Sequence, residues 1–330
     1  MAILATEKVL THNYWKPAYK IEVGDYLFDH NGKPTKVTLV QQYHTQGCYR
    51  VTLSDGLTIS GDKNLAFPTE NPKYRNRLQT YKGFFKFRRP LRPMSIEALQ
   101  STSLKIKDKE LAYSIPSTKP LALPHQDLPV PPFVFGYWFM NKNATNHIRS
   151  PKAYKDIIPQ KLKDRGYLIT QKRCHKTHRM VYSTEPRVEM QLIGKIPTSI
   201  PDNYLLGSVD QRIDMLSGIL YAKRGWYNLK NDRFTITLKS YQLIRQIQGL
   251  VESLGIKTTM YYREDNNEYI FSFRSRLQLM DHQVSPKIKV HQARRYIANI
   301  KQIEPQLCVH IETEGADKSF LAGEGFIACL

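Results

Sequence analysis

The residues able to do chemistry in this chain are few and scattered. Four cysteines (Cys48, Cys174, Cys308 and Cys329) show no Cys-x-x-Cys spacing, so neither a zinc site nor a disulfide framework is expected. His175 and His178 stand near Cys174, but a full ligand set is missing, and they read as surface residues on a basic loop. Cys329 lies in Phe320-Leu-Ala-Gly-Glu-Gly-Phe-Ile-Ala-Cys-Leu330, which reads as strand, tight turn, strand, with glycine supplying the positive φ. Over residues 71–100 there are eight basic side chains, including Lys82, Lys86, Arg88, Arg89 and Arg92, against one acid, Glu97. They interleave with Tyr74, Tyr81, Phe84, Phe85 and Phe87. Such cations track phosphates, and the rings between them stack or pack.

Charge distribution sharpens that reading. The chain has 330 residues, 41% hydrophobic content, net charge +20 and a pI of about 9.7. Two domains with real cores and a polyanionic partner are expected. Residues 1–70 hold seven basic and seven acidic side chains; residues 301–330 hold two and five. The ends are thus net zero and net −3, so the middle, 71–300, carries +23, which with the −3 gives the chain's +20. No apolar run is long enough to span a membrane and no signal peptide is evident, so the expectation is an intracellular protein.

The elements that would position these residues follow from local chemistry. Residues 1–70 read as short strands with frequent turns: Lys8–Thr11 and Glu22–Phe28, then the Asn31-Gly32 hairpin, then Tyr49–Leu53 and Leu57–Ile59 around Ser54-Asp-Gly56. Phe85-Lys-Phe-Arg88 alternates like a strand with one cationic face. Pro116, Pro120, Pro124, Pro129, Pro131 and Pro132 mark a linker. Phe133–Asn143 and Asp210–Gly225 read as short apolar helices, each with a central glycine, Gly136 and Gly218. A bare helix face allows close approach, and their separation of about 80 residues suggests an internal repeat. Thr235–Leu243 reads as a strand, Gln246–Ile256 as a helix stopped by Gly255. Residues 142–179 add eleven basic side chains, Lys172 and Arg173 among them, and Arg263, Arg274 and Arg276 lie on later strand-like stretches.

In order, Ala2–Thr11, Val23–Leu27, Tyr49–Gly56, Ser60–Lys63 and Phe320–Leu330 resemble the N-terminal and C-terminal blocks of inteins, over about the first 70 and last 35 residues. The resemblance implies an all-β Hint horseshoe, of the kind found in hedgehog autoprocessing domains, and splicing of flanking host segments. It also implies chemistry at both chain ends, where a nucleophile needs a base and oxyanion support. The matching positions depart from the pattern. Ala2 stands where a Cys or Ser begins the reaction. Ser60 and Lys63 stand for a Thr-x-x-His motif, and lysine is a poor proton shuttle near neutral pH. Lys318 stands for the histidine before Ser319-Phe320. Two registers fit the end: Leu330 and Cys329 in place of the Asn and His, or Ala328 in place of Asn with Cys329 as the acceptor nucleophile.

The glycine-centred helix pair resembles the two motif helices of LAGLIDADG homing endonucleases, which often interrupt inteins. Lys195–Leu205, Thr235–Leu243 and Val251–Ile256 resemble their context. The family needs a carboxylate at each helix end to hold Mg²⁺. Asn141 and Lys223 occupy those positions, and Asp214 lies at the other end of its helix. The expected architecture is thus multi-domain: a Hint horseshoe split by an α/β LAGLIDADG-type insert. Residues 1–125 carry the first Hint part and the basic region, 126–290 the endonuclease-like domain, and 291–330 the second Hint part. No cofactor is expected for splicing, and the ligands for Mg²⁺ look lost. Expected partners are double-stranded DNA and host-protein segments, with localisation following the host. This chain looks inactive in splicing and in cutting. Competing readings are a DNA-binding protein with a β-arm and an active endonuclease that uses other carboxylates.

Overall fold

A computed structural model describes the chain except for residues 1, 13, 72–91, 107–109, 142–147, 150–153, 155, 174–179, 186, 189–191, 193–196, 223–224, 284–293 and 316–317. The described chain is mostly β and divides into two compact units. Unit 1 is Met1–Ala122, Gly255–Lys257 and Lys289–Leu330; unit 2 is Leu123–Leu254 and Thr258–Ile288.

Unit 1 begins with β1 (Ala2–Leu4), β2 (Lys8–Leu10), β3 (Trp15–Pro17), β4 (Tyr26–Phe28), β5 (Pro34–Thr45), β6 (Cys48–Leu53), β7 (Thr58–Asp62), β8 (Ala66–Thr69) and β9 (Arg92–Ser95). The helix α1 (Ile96–Gln100) follows, capped by the Ser95 hydroxyl, and then β10 (Lys105–Ile106), β11 (Glu110–Leu111) and β12 (Ser114–Pro116). The chain returns at its far end with β20 (Arg294–Ile303), β21 (Gln306–Thr313), β22 (Phe320–Ala322) and β23 (Ile327–Cys329). Eight strands form one sheet in the order β12-β20-β6-β7-β1-β21-β5-β4, and four form another, β23-β22-β2-β3. Strands from the two ends of the sequence therefore pair with one another in both sheets. One core joins them: Ile3, Val9, Val51 and Ile59 pack in a single buried cluster with Ile297, Val309, Ile327 and Cys329. Two ion pairs add polar ties, Arg294 with Glu70 and Arg295 Nε with Asp55 Oδ2 at 2.8 Å, all four side chains being buried.

Turn chemistry works as local sequence dictates. Gly32 and Gly56 take positive φ in the hairpins β4–β5 and β6–β7. The Phe320–Leu330 segment is a hairpin in which Gly323 and Phe326, rather than Gly325, adopt positive φ. The expected strand Glu22–Phe28 is shorter, because Gly24 at φ +100 and the Asp25 N–H to Glu22 O bond make a turn before Tyr26. Phe85–Arg88 lies outside the described residues.

Unit 2 is built as two similar halves. The first runs α2 (Pro132–Asn141), β13 (Ile148–Arg149), α3 (Ile157–Lys163), β14 (Leu168–Arg173) and β15 (Met180–Glu185), with sheet order β13-β15-β14. After α4 (Asp202–Leu205), the second half runs α5 (Val209–Tyr221), β16 (Gly225–Asn228), β17 (Arg233–Leu238), α6 (Tyr241–Ser253), β18 (Thr258–Arg263) and β19 (Glu268–Phe273). Its sheet order, β16-β17-β19-β18, repeats the first with one added edge strand. The predicted Thr235–Leu243 strand ends at Leu238 because the Ser240 hydroxyl accepts the Leu243 N–H and starts α6 early. Gly255 follows that helix with φ +74.

The helices α2 and α5 meet through their glycines. A Cβ on Gly218 would stand 2.2 Å from the Phe133 carbonyl oxygen, and one on Gly136 would stand 2.6 Å from that of Met215. Phe133, Phe135, Tyr137, Trp138, Met215 and Ile219 are all buried around this contact. G218A is expected to destabilise unit 2 by about 2 kcal/mol or more, since backbone cannot yield as a side-chain tip can. G249A, with nothing within 4 Å of the added Cβ in α6, is expected to be neutral or stabilising by up to about 1 kcal/mol. Thermal unfolding of both variants checks this; equal effects would contradict it.

Candidate functional site at the chain ends

One short segment receives both ends of the described chain. The buried Ala2 donates its N–H to Asp62 Oδ1 at 2.9 Å, at the end of β7. Four residues further, Ala66 and Leu330 exchange two backbone bonds, Leu330 N to Ala66 O at 2.9 Å and Ala66 N to Leu330 O at 3.4 Å. The stretch 62–66 is thus the shared seat of the two termini. β1 reaches it because it is paired on both sides, Ile3 against Gly61 of β7 and Ala2–Leu4 against His310–Cys308 of β21. Gly61 is needed there, because a Cβ would fall 2.2 Å from the Ala2 carbonyl oxygen.

Asp62 is 3% exposed and is held by three donors: the Ala2 N–H, the Tyr43 hydroxyl at 2.9 Å and the Asn64 amide at 3.4 Å. Burial, followed by the bond to Asp62, pushes the Tyr43 phenol up, so it remains a donor. Beneath Ala2 and Leu4 lie Cys48 and Cys308, whose sulfurs are 3.9 Å apart. Burial beside Cys48 pushes the Cys308 thiol up to about 12. At the other terminus Cys329 is fully buried in β23, and burial, with a smaller contribution from Glu7, raises its thiol. Burial also raises Glu7, which accepts the Ser60 N–H at 2.8 Å.

The predicted residues are only partly brought together. Ser60 is buried beside Glu7, and the side chain at the Ala2 amide is that of Asp62. Lys63 points outward to Glu97 at 3.3 Å, with both side chains largely exposed. Lys318, at φ +51, pairs with Glu312 at 3.0 Å; Glu312 also contacts His310 at 3.2 Å and is held below the ordinary carboxylate range, by Lys318 first. Ala328 is buried opposite Leu321. Sequence offered Cys48 only as one of four cysteines and Asp62 only as part of the Ser60–Lys63 block, and gave Tyr43 no role, since the three come from separate strands.

In unit 2, Asn141 ends α2, and its amide donates back to the Tyr137 carbonyl at 3.0 Å. Asp214 lies towards the other end of the pair, taking the Phe133 N–H at 3.1 Å and Arg165 Nη2. Lys172 and Arg173 lie on β14, opposite Val181 and Met180. Arg92 and Arg276 are exposed, and Arg274 Nε donates to the Asn231 carbonyl at 2.9 Å. Lys82, Lys86, Arg88, Arg89 and Lys223 lie outside the described residues. One rung of the second sheet aligns Trp226, Thr235, Ser272 and Thr259 on one face. Thr259 and Ser272 hydroxyls are 3.0 Å apart, Arg233 reaches Ser272 at 3.4 Å, and Trp226 and Tyr261 are exposed. Among the described residues no group of three or more His, Cys, Asp or Glu is placed to hold a metal ion. No described helix is long and apolar enough to cross a membrane.

Known proteins resemble parts of this chain. The likeness is to inteins and to a homing endonuclease. Solved structures similar to this chain include the MchDnaB-1 intein, at 30% identity over 21% of this chain and 53% of that one, TM-score 0.20. They also include I-DmoI in complex with DNA and Mn, at 14% identity over 49% and 98%, TM-score 0.33. Among curated proteins, the replicative DNA helicase DnaB of Mycobacterium intracellulare is 23% identical over 340 residues, covering 95% of this chain. The chain spans 55% of that relative's length. No family model matches the chain.

The buried thiol gives a pH test. A folded-state pKa raised from 9.0 to about 12 means that the native state holds this proton more tightly than the unfolded chain. The stability it confers is intact below about pH 9 and declines as pH rises towards 12. Urea unfolding at pH 8 and pH 10 is expected to show a smaller alkaline loss in C308A than in the parent chain; an unchanged loss would contradict this.

Proposed function

We propose that the chain is an intein-type splicing scaffold whose β unit is interrupted by a LAGLIDADG-type DNA-binding unit, and that this copy neither splices nor cuts DNA. One observation carries the splicing half: both described ends bind the segment 62–66 of a single β unit. An excision reaction needs that proximity, because acyl transfer between two junctions requires reacting groups held near each other. Leu330, exchanging both backbone bonds with Ala66, favours the register in which Leu330 and Cys329 occupy the places of Asn and His.

The chemistry is missing at each step. Ala2 offers no nucleophile, and Leu330 has no amide to cyclise onto the downstream bond. An acyl shift from nitrogen to sulfur would break the C–N bond at residue 2 and leave an amine needing a proton. The side chain nearest that nitrogen is Asp62, whose Oδ1 accepts its N–H rather than donating to it. With host segments fused to both ends, the parent chain is expected to give no ligated product by mass spectrometry. A2C is expected to restore at most slow, thiol-released cleavage at the first junction, and A2C/L330N slow ligation. Ligation by the parent chain would overturn this half.

The DNA half rests on the duplicated unit 2 and its helix pair. The +23 carried by residues 71–300 and the sheet face bearing Trp226, Arg233 and exposed Tyr261 suit a duplex, strands being able to enter a groove. Mg²⁺ does not fit the helix ends: Asn141 has its amide turned to Tyr137, Lys223 is cationic, and Asp214 is engaged by Arg165. If about six phosphates are contacted, affinity for duplex DNA is expected to fall roughly a thousandfold between about 50 and 200 mM salt. Incubation with Mg²⁺ and a DNA library is expected to leave it uncut. Salt-insensitive binding would remove the DNA-binding claim, and metal-dependent double-strand cuts would remove the claim of lost cleavage.

A further inference from the structure

We propose that Cys48 and Cys308 are a reversible disulfide site that staples the first part of the β unit to the last. The sulfurs stand 3.9 Å apart. A bond of about 2 Å requires them to close by roughly another 2 Å. Their backbones are fixed on both sides. Cys48 pairs with Asp62 of β7 and Ile303 of β20, and Cys308 pairs with Leu4 of β1 and Tyr43 of β5. The Cys48 sulfur is also aimed by main-chain atoms, lying 3.6 Å from Thr45 O, 3.7 Å from Gln306 O and 3.3 Å from Gln306 N. A metal role has no support, since the pair has no third ligand among the described residues.

The bond would close a loop of 260 positions that contains all of unit 2. Chain-entropy arguments give such long loops the largest gain. It would also lie directly under Ala2 and Leu4, which pack on the two sulfurs, so it fastens the sheet that carries the first residue. The oxidant is a low-molecular-weight disulfide such as oxidised glutathione. A thiolate attacks it and expels one glutathione thiol; the second cysteine then displaces the other, giving one protein disulfide and two reduced glutathiones. The raised Cys308 thiol makes exchange at that sulfur slow at neutral pH.

The test uses the full chain and the double variant C174S/C329S, which retains only this pair. Each is equilibrated in glutathione buffers of graded redox ratio near pH 8.5, natively and during refolding from denaturant. Free thiols are then alkylated and peptides mapped. The expected result is a Cys48–Cys308 linked peptide in both chains, reversed by excess reduced glutathione. A melting temperature higher by about 5–10 °C in the oxidised form is also expected, with no shift in C48A or C308A. Absence of the linked peptide in both protocols, or linkage through Cys174 or Cys329 instead, would overturn the proposal.

Discussion

The β unit depends on the backbone pairing that threads β1 between β7 and β21. All three residues of β1 pair with β21 and Ile3 pairs also with Gly61 of β7, and a strand that short has no stability of its own. Once it is paired, Ala2 must lie against Asp62, because β7 ends there, and the turn from 62 to 66 then presents Ala66 to Leu330. The meeting of the two ends is thus a consequence of strand order, not of any attraction between the terminal residues. The close approach at Gly61 and the buried carboxylate of Asp62 are the local terms of that arrangement.

Such a design does not rest on catalytic side chains. The forces that seat Ala2 and Leu330 are main-chain hydrogen bonds and a shared apolar core, neither of which uses a catalytic side chain. The core even benefits from apolar residues at these positions, since Ala2, Ala328 and Cys329 are all buried. Buried charge is kept where it has a partner: Glu70 with Arg294 and Asp55 with Arg295, pairs whose members come from distant parts of the sequence and hold the returning strand in register.

Unit 2 separates packing from chemistry in the same way. Its two halves join through Gly136 and Gly218 in the middle of α2 and α5, whereas Asn141 and Lys223 lie at or just beyond the helix ends. A change at a helix end leaves the glycine contact untouched. Asp214, the carboxylate near the start of the pair, acts structurally, since it takes an N–H from the first turn of α2 and the Arg165 guanidinium.

Sequence alone determined the features set by neighbours along the chain. Asn31-Gly32, Ser54-Asp-Gly56 and the Phe320–Leu330 hairpin were legible because turns need residues that accept positive φ. The glycine-centred helices were legible because an apolar run with one bare position implies a close neighbour. Where local signals competed, sequence misplaced the boundary, as at Ser240, whose capping hydroxyl shortened a strand and advanced a helix. Of the site, sequence offered only the positions at which the intein resemblance places chemistry: Ala2, Ser60, Lys63, Lys318 and the last residues. Tertiary structure alone decided that Asp62 receives the Ala2 amide, that Tyr43 and Asn64 hold it, and that Lys63 and Lys318 turn to Glu97 and Glu312. It alone brought Cys48 to Cys308. Each of these contacts is fixed by the register between strands, and register is a property of paired chains that no single strand encodes.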